Sequence, residues 1–372
     1  MKLTVNRALF ASVVKPLAQV INTKNVLPIL DDMLFEVKDC NLTLTASDSE
    51  VTMSTTIPLD TMEGEGRFCV PADKLTAALA EVMDEKVTIV ATTESDNRFT
   101  LQHSKGETYF PLESADEYPL PATEAMNKPA HTDSKLVSDA LKRALWATAH
   151  DELRPQMEGV CFSVENDMLD IVASDGHVLV KTSVNDITDA DKNMRIIVPK
   201  KAATVLARVL SVGPLDISYN ATSCRFTFTP FTLTARLTEG KYPNYNSAIP
   251  KDQPIMAAAS RIGVLSSLKS VLPFSPDSSK LTRLHFKDNR LTIAAEDYDM
   301  ATGATSSVSV DYPHDELAIG VSGVRLATIL SKLTTNEVFI HLNDPSTAIV
   351  IEQEDTDDDC DVTMLTMPMI ID

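Results

Sequence analysis

Apolar residues recur at steps of three and four in six windows of the chain and predict six helices. In the first window Leu9, Val13 and Leu17 fall on one face of a helix. Pro16 lies inside this window, so we expect this helix to kink or to end early. The six predicted helices cover residues 5–21, 72–83, 133–149, 199–211, 261–272 and 323–333.

The stretches between the helices alternate apolar and polar residues and predict β-strands. Three of them, residues 33–47, 160–174 and 284–296, contain a polar turn between two such runs. Asp39, Asn166 and Asn289 in these turns suit tight hairpins. The order of helix, strands, helix and strands then predicts an α+β fold with two helices packed on one antiparallel sheet.

One ten-residue pattern occurs three times, as LTLTASDSEV, LDIVASDGHV and LTIAAEDYDM. Aligning Asp48, Asp175 and Asp297 gives offsets of 127 and 122 residues, which is the length of a domain and too long for a solenoid repeat. We therefore predict three similar domains in the 372 residues, at 1–125, 126–251 and 252–372.

The cysteines and the apolar runs bear on where the protein acts. An odd, unpatterned set of five cysteines predicts reduced thiols in a cytoplasmic protein, with neither a disulfide framework nor a zinc site. The first residues lack the apolar core of a signal peptide, and no apolar run is long enough to span a bilayer. The cysteines are Cys40, Cys69, Cys161, Cys224 and Cys360.

Charge is divided unevenly along the chain. The formal net charge of −20 by itself argues against a nucleic-acid partner. The six helical windows, however, hold thirteen basic and four acidic residues, a net charge of +9 that leaves −29 for the strands and loops. Helix surfaces can simply favour lysine and arginine. Alternatively, the helices face a polyanion while acidic sheets face outward, beyond the screening length of about 8 Å. Such contacts would be with phosphates and independent of sequence.

Five short motifs carry a resemblance to a known family. They are VLPIL at 26–30, SDGHVLV at 174–180, IIVPKK at 196–201, KYPNY at 241–245 and MPMII at 367–371. Through these motifs, in this order and over all three repeats, the chain resembles the bacterial DNA polymerase III β subunit family, the sliding clamps.

The resemblance implies a head-to-tail homodimer closed into a ring of six domains, with helices around double-stranded DNA and sheets on the rim. It implies a processivity factor and not an enzyme, with no cofactor and no metal. The implied partners are the α subunit of the replicative DNA polymerase, an ATP-dependent clamp loader that opens the ring, and other replication and repair proteins. Membrane association is not implied.

Site residues follow from the resemblance by position. Partners of the family insert a short peptide with hydrophobic anchors between the second and third domains. Here that peptide site is implied at Arg154, Met157, Ser174, Gly176, His177, Val178, Leu179, Pro243, Ser247, Ala248, Ser322, Arg325, Ser346, Ala348, Leu365, Thr366, Met367, Pro368, Met369, Ile370 and Ile371. DNA contacts are implied at Lys24, Lys201, Arg208 and Lys241. A basic dimer edge with Lys74, Arg98, Lys105 and Phe110 is expected to face an acidic edge with Leu272, Phe274, Glu296, Asp297 and Asp299.

Three other interpretations are weighed against this one. Asp175 and His177 could form the acid–base pair of a hydrolase, but the other two repeats have Glu50 and Asp299 at the position of His177, and no catalytic motif accompanies them. The acidic stretch 352–361 could bind calcium, yet it lacks the glycine and spacing of an EF-hand loop, which favours a solvated hairpin loop. A three-domain scaffold that never encircles DNA stays open.

Overall fold

A computed structural model describes residues 1–22, 25–92, 97–120, 125–151, 153–354 and 360–371. The chain forms two compact units. The first combines Met1–Lys135 with Arg208–Leu237, and the second combines Leu136–Ala207 with Thr238–Asp372. Since the chain passes between the units within the predicted middle domain, the boundaries 1–125, 126–251 and 252–372 stay a prediction.

Each predicted helical window contains one α-helix. The helices are α1 (Arg7–Ala18), α2 (Ala72–Glu81), α3 (Ser134–Ala144), α4 (Lys200–Val209), α5 (Arg261–Val271) and α6 (Gly323–Lys332). Helix α1 continues through Pro16 and ends at Ala18, three residues before the end of its window. Asn6 caps α1 by accepting the N–H of Leu9 at 3.0 Å, because the first N–H groups of a helix have no partner within it.

Twenty-seven strands are formed by the described residues. They are β1 (Lys2–Asn6), β2 (Asp32–Lys38), β3 (Asn41–Ser47), β4 (Val51–Pro58), β5 (Thr61–Glu63), β6 (Gly66–Pro71), β7 (Lys86–Thr92), β8 (Arg98–His103), β9 (Gly106–Pro111), β10 (Glu113–Ser114), β11 (Ala130–Asp133), β12 (Val160–Glu165), β13 (Met168–Ser174), β14 (Val178–Val184), β15 (Ile187–Thr188), β16 (Arg195–Val198), β17 (Pro214–Tyr219), β18 (Ser223–Phe228), β19 (Phe231–Arg236), β20 (Ile255–Ser260), β21 (Leu281–Lys287), β22 (Arg290–Asp297), β23 (Thr302–Asp311), β24 (Leu317–Ser322), β25 (Glu337–Leu342), β26 (Ile349–Gln353) and β27 (Cys360–Thr366).

The first unit contains two antiparallel sheets. One has the order β5-β1-β7-β8-β9, and the other runs β10-β6-β2-β3-β4-β19-β18-β17-β11. In the second sheet β4 pairs with β19 from Phe231 opposite Thr55 to Ala235 opposite Val51. Phe35 stacks on Phe68 with ring centroids 5.1 Å apart, which places an aromatic core beneath these strands.

The second unit contains one twelve-stranded sheet. Its order is β16-β12-β13-β14-β27-β26-β25-β20-β23-β22-β21-β24. Here β14 pairs with β27, from Val178 opposite Thr366 to Val184 opposite Cys360. The acidic stretch 352–361 connects the antiparallel neighbours β26 and β27, as expected for a hairpin, and residues 355–359 of it lie outside the described residues.

The three predicted hairpin turns are confirmed, and all have the same backbone. Two consecutive residues with positive φ connect the strands: Asp39 and Cys40, Asn166 and Asp167, and Asp288 and Asn289. Their φ values lie between 50° and 60°, as in the type I′ turns that match the twist of antiparallel strands. The sequence repeat is therefore also a structural repeat, and the α+β fold class is confirmed.

Two arginines connect the helices of their repeats. In the first unit Nη2 of Arg7 donates to the carbonyl of Leu79 in α2 at 2.6 Å. In the second unit Nε of Arg261 donates to the carbonyl of Thr335 at 2.6 Å, and Nη1 donates to that of Leu330 in α6 at 3.2 Å. The carbonyls of Leu79 and Leu330 lie in the last turns of their helices, where a positive charge is favourable. Arg7 and Arg261 therefore serve the fold.

Candidate peptide-binding site

The loop between β13 and β14 is held by its own polar side chains. Oδ1 of Asp175 accepts the N–H groups of His177 and Val178, both at 2.8 Å. Ser174 Oγ accepts the N–H of Gly176 at 3.1 Å and donates to the carbonyl of Val178 at 2.7 Å. Gly176 has φ +90°, where a side chain would be strained. The loop is therefore a rigid turn at the start of β14.

The aspartates at this position have the same role in all three repeats. Asp48 Oδ1 accepts the N–H groups of Glu50 and Val51 at 3.0 and 2.7 Å, and Asp297 Oδ1 accepts that of Met300 at 3.1 Å. Asp175 is thus a turn residue that the other repeats share, which argues against an acid–base role with His177.

Tyr242 of the KYPNY motif supports the loop from below. Its side chain is buried, and its hydroxyl accepts the N–H of Ser174 at 2.9 Å. Burial raises the pKa of the Tyr242 hydroxyl well above its usual value, so the group stays protonated. This hydrogen bond fixes the end of β13 at the point where the loop begins.

Tyr245 anchors the same motif in a buried polar network. Its hydroxyl lies 2.9 Å from Oδ2 of Asp170 and 2.8 Å from Oγ of Ser163. The Asp170 carboxylate also receives Ser183 Oγ at 2.6 Å and Lys181 Nζ at 3.1 Å, so its charge is compensated. These contacts hold Tyr245, the last residue of the motif, beside β12 and β13.

The floor of the site is apolar. Leu179, Ala348 and Leu365 pack in one buried cluster with Tyr242 and Tyr245. Each of these five residues is at most 5% exposed. The floor therefore determines the shape of the site but offers little accessible apolar surface to a ligand. Gln253 Nε2 donates to the carbonyl of Ala348 at 2.7 Å and holds that edge of the floor.

The C-terminal segment of the chain crosses the site as an extended strand. The N–H of Met367 donates to the carbonyl of His177 at 2.8 Å, and that of Met369 donates to the carbonyl of Gly320 at 2.8 Å. A Cβ at Gly320 would lie 2.5 Å from the Met369 carbonyl oxygen, so only glycine admits this approach. Met367, with 41% of its side chain exposed, presents an adaptable apolar surface beside the loop.

Two arginines with carboxylate partners border the loop. Nε of Arg154 lies 2.7 Å from Oδ2 of Asp151, and this hydrogen bond holds the pKa of the Asp151 carboxyl below its usual range. Nη2 of Arg325, in the first turn of α6, lies 3.9 Å from Oδ2 of Asp175. Both pairs are partly exposed and can open when a ligand binds.

The structure brings most of the implied peptide-site residues together. The loop residues 174–178 lie over Leu179, Ala348 and Leu365, with Met367 on one side and Arg154 near Gly176. Met157 and Val178 are buried, Pro243 is exposed beside Tyr242, and Ser322 is buried where α6 begins. Ser247, Ala248 and Ser346 are exposed on turns of their own.

The last two isoleucines have different neighbours. Ile370 and Ile371 line a pocket of about 170 Å³ with Leu281, Arg283 and Tyr298. Thr366 is buried in β27, and Pro368 lies between the two hydrogen-bonded methionines. A role in the peptide site for Ile370 and Ile371 stays a prediction.

Sequence reasoning missed the residues that position the loop. Tyr242, Tyr245, Asp170 and Gln253 touch it or its floor, yet none was assigned a role. The signal that could have found them was the KYPNY motif, in which two aromatic residues with hydroxyl groups flank the assigned Pro243.

Replacing Tyr242 with phenylalanine tests this support. The hydroxyl would be lost and the N–H of Ser174 left without its partner, at a cost of ~1 kcal/mol. We expect the affinity for a peptide with leucine and phenylalanine anchors to fall about fivefold by fluorescence polarisation. The control is Tyr109→Phe in the first unit, which should bind as the unchanged protein does. Equal affinity in all three proteins would contradict the role of the Tyr242 hydroxyl.

The implied DNA-contact residues have different surroundings. Arg208 is exposed near the end of α4, Lys201 is partly buried in its first turn, and Lys241 is exposed before Tyr242. Lys24 lies outside the described residues. These contacts stay predictions.

The residues of the implied basic edge surround a pocket of about 570 Å³ in the first unit. Lys74, Arg98 and Phe110 line it, and the Arg98 guanidinium lies 4.8 Å from the centre of the Tyr109 ring. Lys105 is exposed in the turn before β9.

The residues of the implied acidic edge lie at the end of β22 and after α5. Phe274 is 40% exposed, Leu272 precedes it in a single 3₁₀ turn, and Glu296 accepts the Tyr298 hydroxyl at 2.7 Å. Asp297 and Asp299 flank Tyr298, which is 86% exposed, and Met300 is 72% exposed. The sequence did not lead us to assign Tyr298 or Met300 to the dimer edge.

Comparisons with known proteins identify the family of the chain. Among the described residues no helix is long and apolar enough to cross a membrane. The chain is 25% identical to the beta sliding clamp of Haemophilus influenzae over 365 residues, which is 96% of this chain and 97% of that protein. It is 28% identical to the beta sliding clamp of Escherichia coli K12 over 366 residues, covering 95% and 96%.

A solved structure has the same fold along the whole chain. The sliding clamp (DNA polymerase III subunit beta) of Pseudomonas aeruginosa bound to griselimycin superposes with a TM-score of 0.93 at 23% identity, with full coverage of both chains. Family models match three successive ranges, described as the N-terminal domain (1–122), central domain (131–244) and C-terminal domain (246–370) of the DNA polymerase III beta subunit. With nearly every residue matched in the family's own domain order, the chain belongs to the DNA polymerase III beta subunit family, the bacterial sliding clamps.

Proposed function

We propose that two copies of this chain join head to tail, close around double-stranded DNA and tether the DNA polymerase to it. The observation that carries this proposal is the charge of the six helices in a chain of net charge −20. The helices hold three acidic residues and thirteen basic ones, eleven of them besides Arg7 and Arg261, which bind carbonyls within the fold. Cationic helices attract phosphates regardless of base sequence. Lys24, Lys201, Arg208 and Lys241 are proposed to take part in these contacts.

The family is a non-catalytic processivity factor, and the turn role of Asp175 is consistent with that function. A clamp needs little affinity for DNA because a closed ring holds the duplex topologically. The acidic strands and loops then discourage binding of DNA elsewhere on the surface.

We propose that partner proteins bind through an extended peptide at the loop 174–178. The buried apolar cluster would shape the groove, and the exposed side chain of Met367 would contact hydrophobic anchors of the peptide. The replicative polymerase α subunit, the ATP-dependent clamp loader and other replication or repair proteins are the proposed users. A similar clamp binds griselimycin, which shows that a clamp of this fold accepts a ligand.

We propose a cytoplasmic location, where the thiols of the five cysteines would stay reduced.

The proposal is tested by the topology of the DNA. Loaded by its clamp loader on nicked circular plasmid, the protein should stay with the plasmid through gel filtration. Linearising the plasmid should lower the retained fraction about tenfold or more, because weak phosphate contacts alone do not hold a protein at moderate salt. Blocking the ends of the linear DNA with bound proteins should restore retention. Equal retention on circular and open linear DNA would favour the scaffold and refute the ring.

A further inference from the structure

A polar pocket of about 310 Å³ lies in the first unit, at the end of the β4–β19 ladder. Hydroxyl side chains dominate its wall: Ser47, Ser49, Thr52, Thr222, Ser223 and Thr234. Pro119 and Leu120 close one side, and Glu50 and Arg236 provide charge. None of these residues belongs to the peptide site described above.

This pocket occupies the position of the peptide site, one repeat earlier. The β4–β19 ladder ends at Val51 opposite Ala235, as the β14–β27 ladder ends at Val178 opposite Thr366. The next hydrogen bond is also the same: Arg236 N–H donates to the Glu50 carbonyl at 2.9 Å. In the peptide site the corresponding bond, from Met367 to His177, is 2.8 Å long.

The supporting tyrosine is repeated as well. Tyr118 precedes Pro119 as Tyr242 precedes Pro243, and both tyrosines are buried. The Tyr118 hydroxyl donates to the carbonyl of Thr45 in β3 at 3.3 Å, as Tyr242 contacts the end of β13. Ser49 has φ +78° where Gly176 has φ +90°. The two sites therefore share a backbone frame.

Their chemistry differs at the positions that would touch a ligand. By the ladder register, Thr52 and Thr234 take the places of Leu179 and Leu365. Ser223 occupies the position of Ala348. Arg236 occupies the position of Met367, and Glu50 occupies the position of His177. Four apolar residues of the peptide site are thus replaced by three hydroxyl groups and one guanidinium, which favours polar side chains of a ligand over hydrophobic anchors.

We infer that this pocket is a second peptide-binding site, which accepts an extended hydrophilic segment of a partner protein with hydroxyl or carboxamide side chains. The inference rests on the proposed peptide-binding role of the loop 174–178, because the pocket in the first unit has the same backbone arrangement as that loop. Selectivity comes from the hydroxyl groups of Thr52, Ser223 and Thr234, which line the pocket. One protomer then carries one site for apolar peptides and one for polar peptides.

Two labelled pentapeptides test this inference by fluorescence polarisation. One has leucine and phenylalanine anchors, and in the other these are replaced by glutamine and serine. The unchanged protein should bind both without competition. Thr52→Val with Thr234→Val removes hydroxyls at nearly constant volume and should weaken the polar peptide about tenfold, leaving the apolar peptide unchanged. Thr232→Val, on the same face of β19 but outside the pocket, is the control.

Each failure has its own meaning. No binding of the polar peptide, or equal binding by the double variant, overturns the inference. No binding of the apolar peptide to the unchanged protein contradicts the proposed peptide-site function instead.

A gain of function gives an independent result. Thr52→Leu, Ser223→Ala, Thr234→Leu and Arg236→Met together copy the apolar residues of the peptide site into the pocket. The stoichiometry of the apolar peptide should rise from one to two per protomer by titration calorimetry. A variant with an unchanged circular dichroism spectrum that still binds one peptide would show that the frames differ, and would overturn the inference.

Discussion

Reversing two charges in the first unit, Lys74→Glu with Arg98→Glu, should convert a dimer into a monomer in sedimentation velocity measurements. Both side chains line the pocket of about 570 Å³ at the proposed basic edge. In the proposed dimer the new carboxylates would face the acidic edge of the other protomer, which contains Glu296, Asp297 and Asp299. Like charges would then lie together, which costs several kcal/mol. We expect the dissociation constant to rise about a thousandfold.

The complementary variant makes this test specific. Glu296→Lys with Asp299→Lys reverses the other edge and should also give a monomer. In a head-to-tail dimer each chain uses both edges, so an equimolar mixture of the two variants restores complementary charges at both interfaces. The mixture should therefore sediment as a dimer although neither variant does alone. A mixture that stays monomeric would contradict the pairing of these edges, and dimeric single variants would contradict their role in assembly.

Exposed apolar side chains support the same pairing. Tyr298 and Met300 lie among the acidic residues and are largely exposed, and Phe274 is partly so. The basic edge offers Tyr109, 62% exposed, beside Phe110. Such side chains are characteristic of the centre of an interface, with charges at its rim. Charge would select the orientation, and burial of these rings would supply affinity.

Local patterns in the sequence predicted the helices and hairpins well. Helix periodicity and turn residues such as Asn166 and Asn289 act over a few positions, so one sequence is enough to read them. The role of Asp175 could also be read from Asp48 and Asp297, because the repeats place a different residue two positions later. An aspartate that all three repeats share, followed by a different residue two positions later in each, is more consistent with a turn than with a catalytic pair.

Contacts between distant segments could not be predicted in the same way. Arg7 was counted among the cations that could face DNA, yet its guanidinium binds the Leu79 carbonyl. Tyr242 was left without a role because its partner, Ser174, is 68 residues away. The polar pocket was missed for a related reason, since its residues look ordinary until the strand register aligns them with the peptide site.

Asp32 is a buried carboxyl group whose ionisation should destabilise the first unit. It is 5% exposed at the start of β2, opposite Pro71, which has no N–H to donate, and among the described residues its Oδ2 has no hydrogen-bond partner. Burial, followed by repulsion from Glu113 and Asp31, raises the pKa of Asp32 to about 7.

The sign of the pH effect follows from this shift. Above pH 4 the unfolded chain releases the Asp32 proton, whereas the folded chain keeps it until about pH 7. The free energy of unfolding therefore falls as pH rises from 4 to 7, and above pH 7 the loss is constant at up to about 4 kcal/mol. Asp32→Asn removes this term, so its stability relative to the unchanged protein should increase from pH 4 to pH 8.

Chemical denaturation of the full protein at each pH measures this difference. The asparagine can lower stability at every pH through its own buried amide, so the change with pH is the decisive quantity. Asp39→Asn is the matched control, because that carboxyl is exposed and asparagine accepts the positive φ of 51° there. The control is denatured at the same pH values and measures what an exposed aspartate-to-asparagine change does by itself. A difference between Asp32→Asn and the unchanged protein that stays constant over this range would mean that Asp32 is ionised in the folded state, and that groups around it compensate its charge.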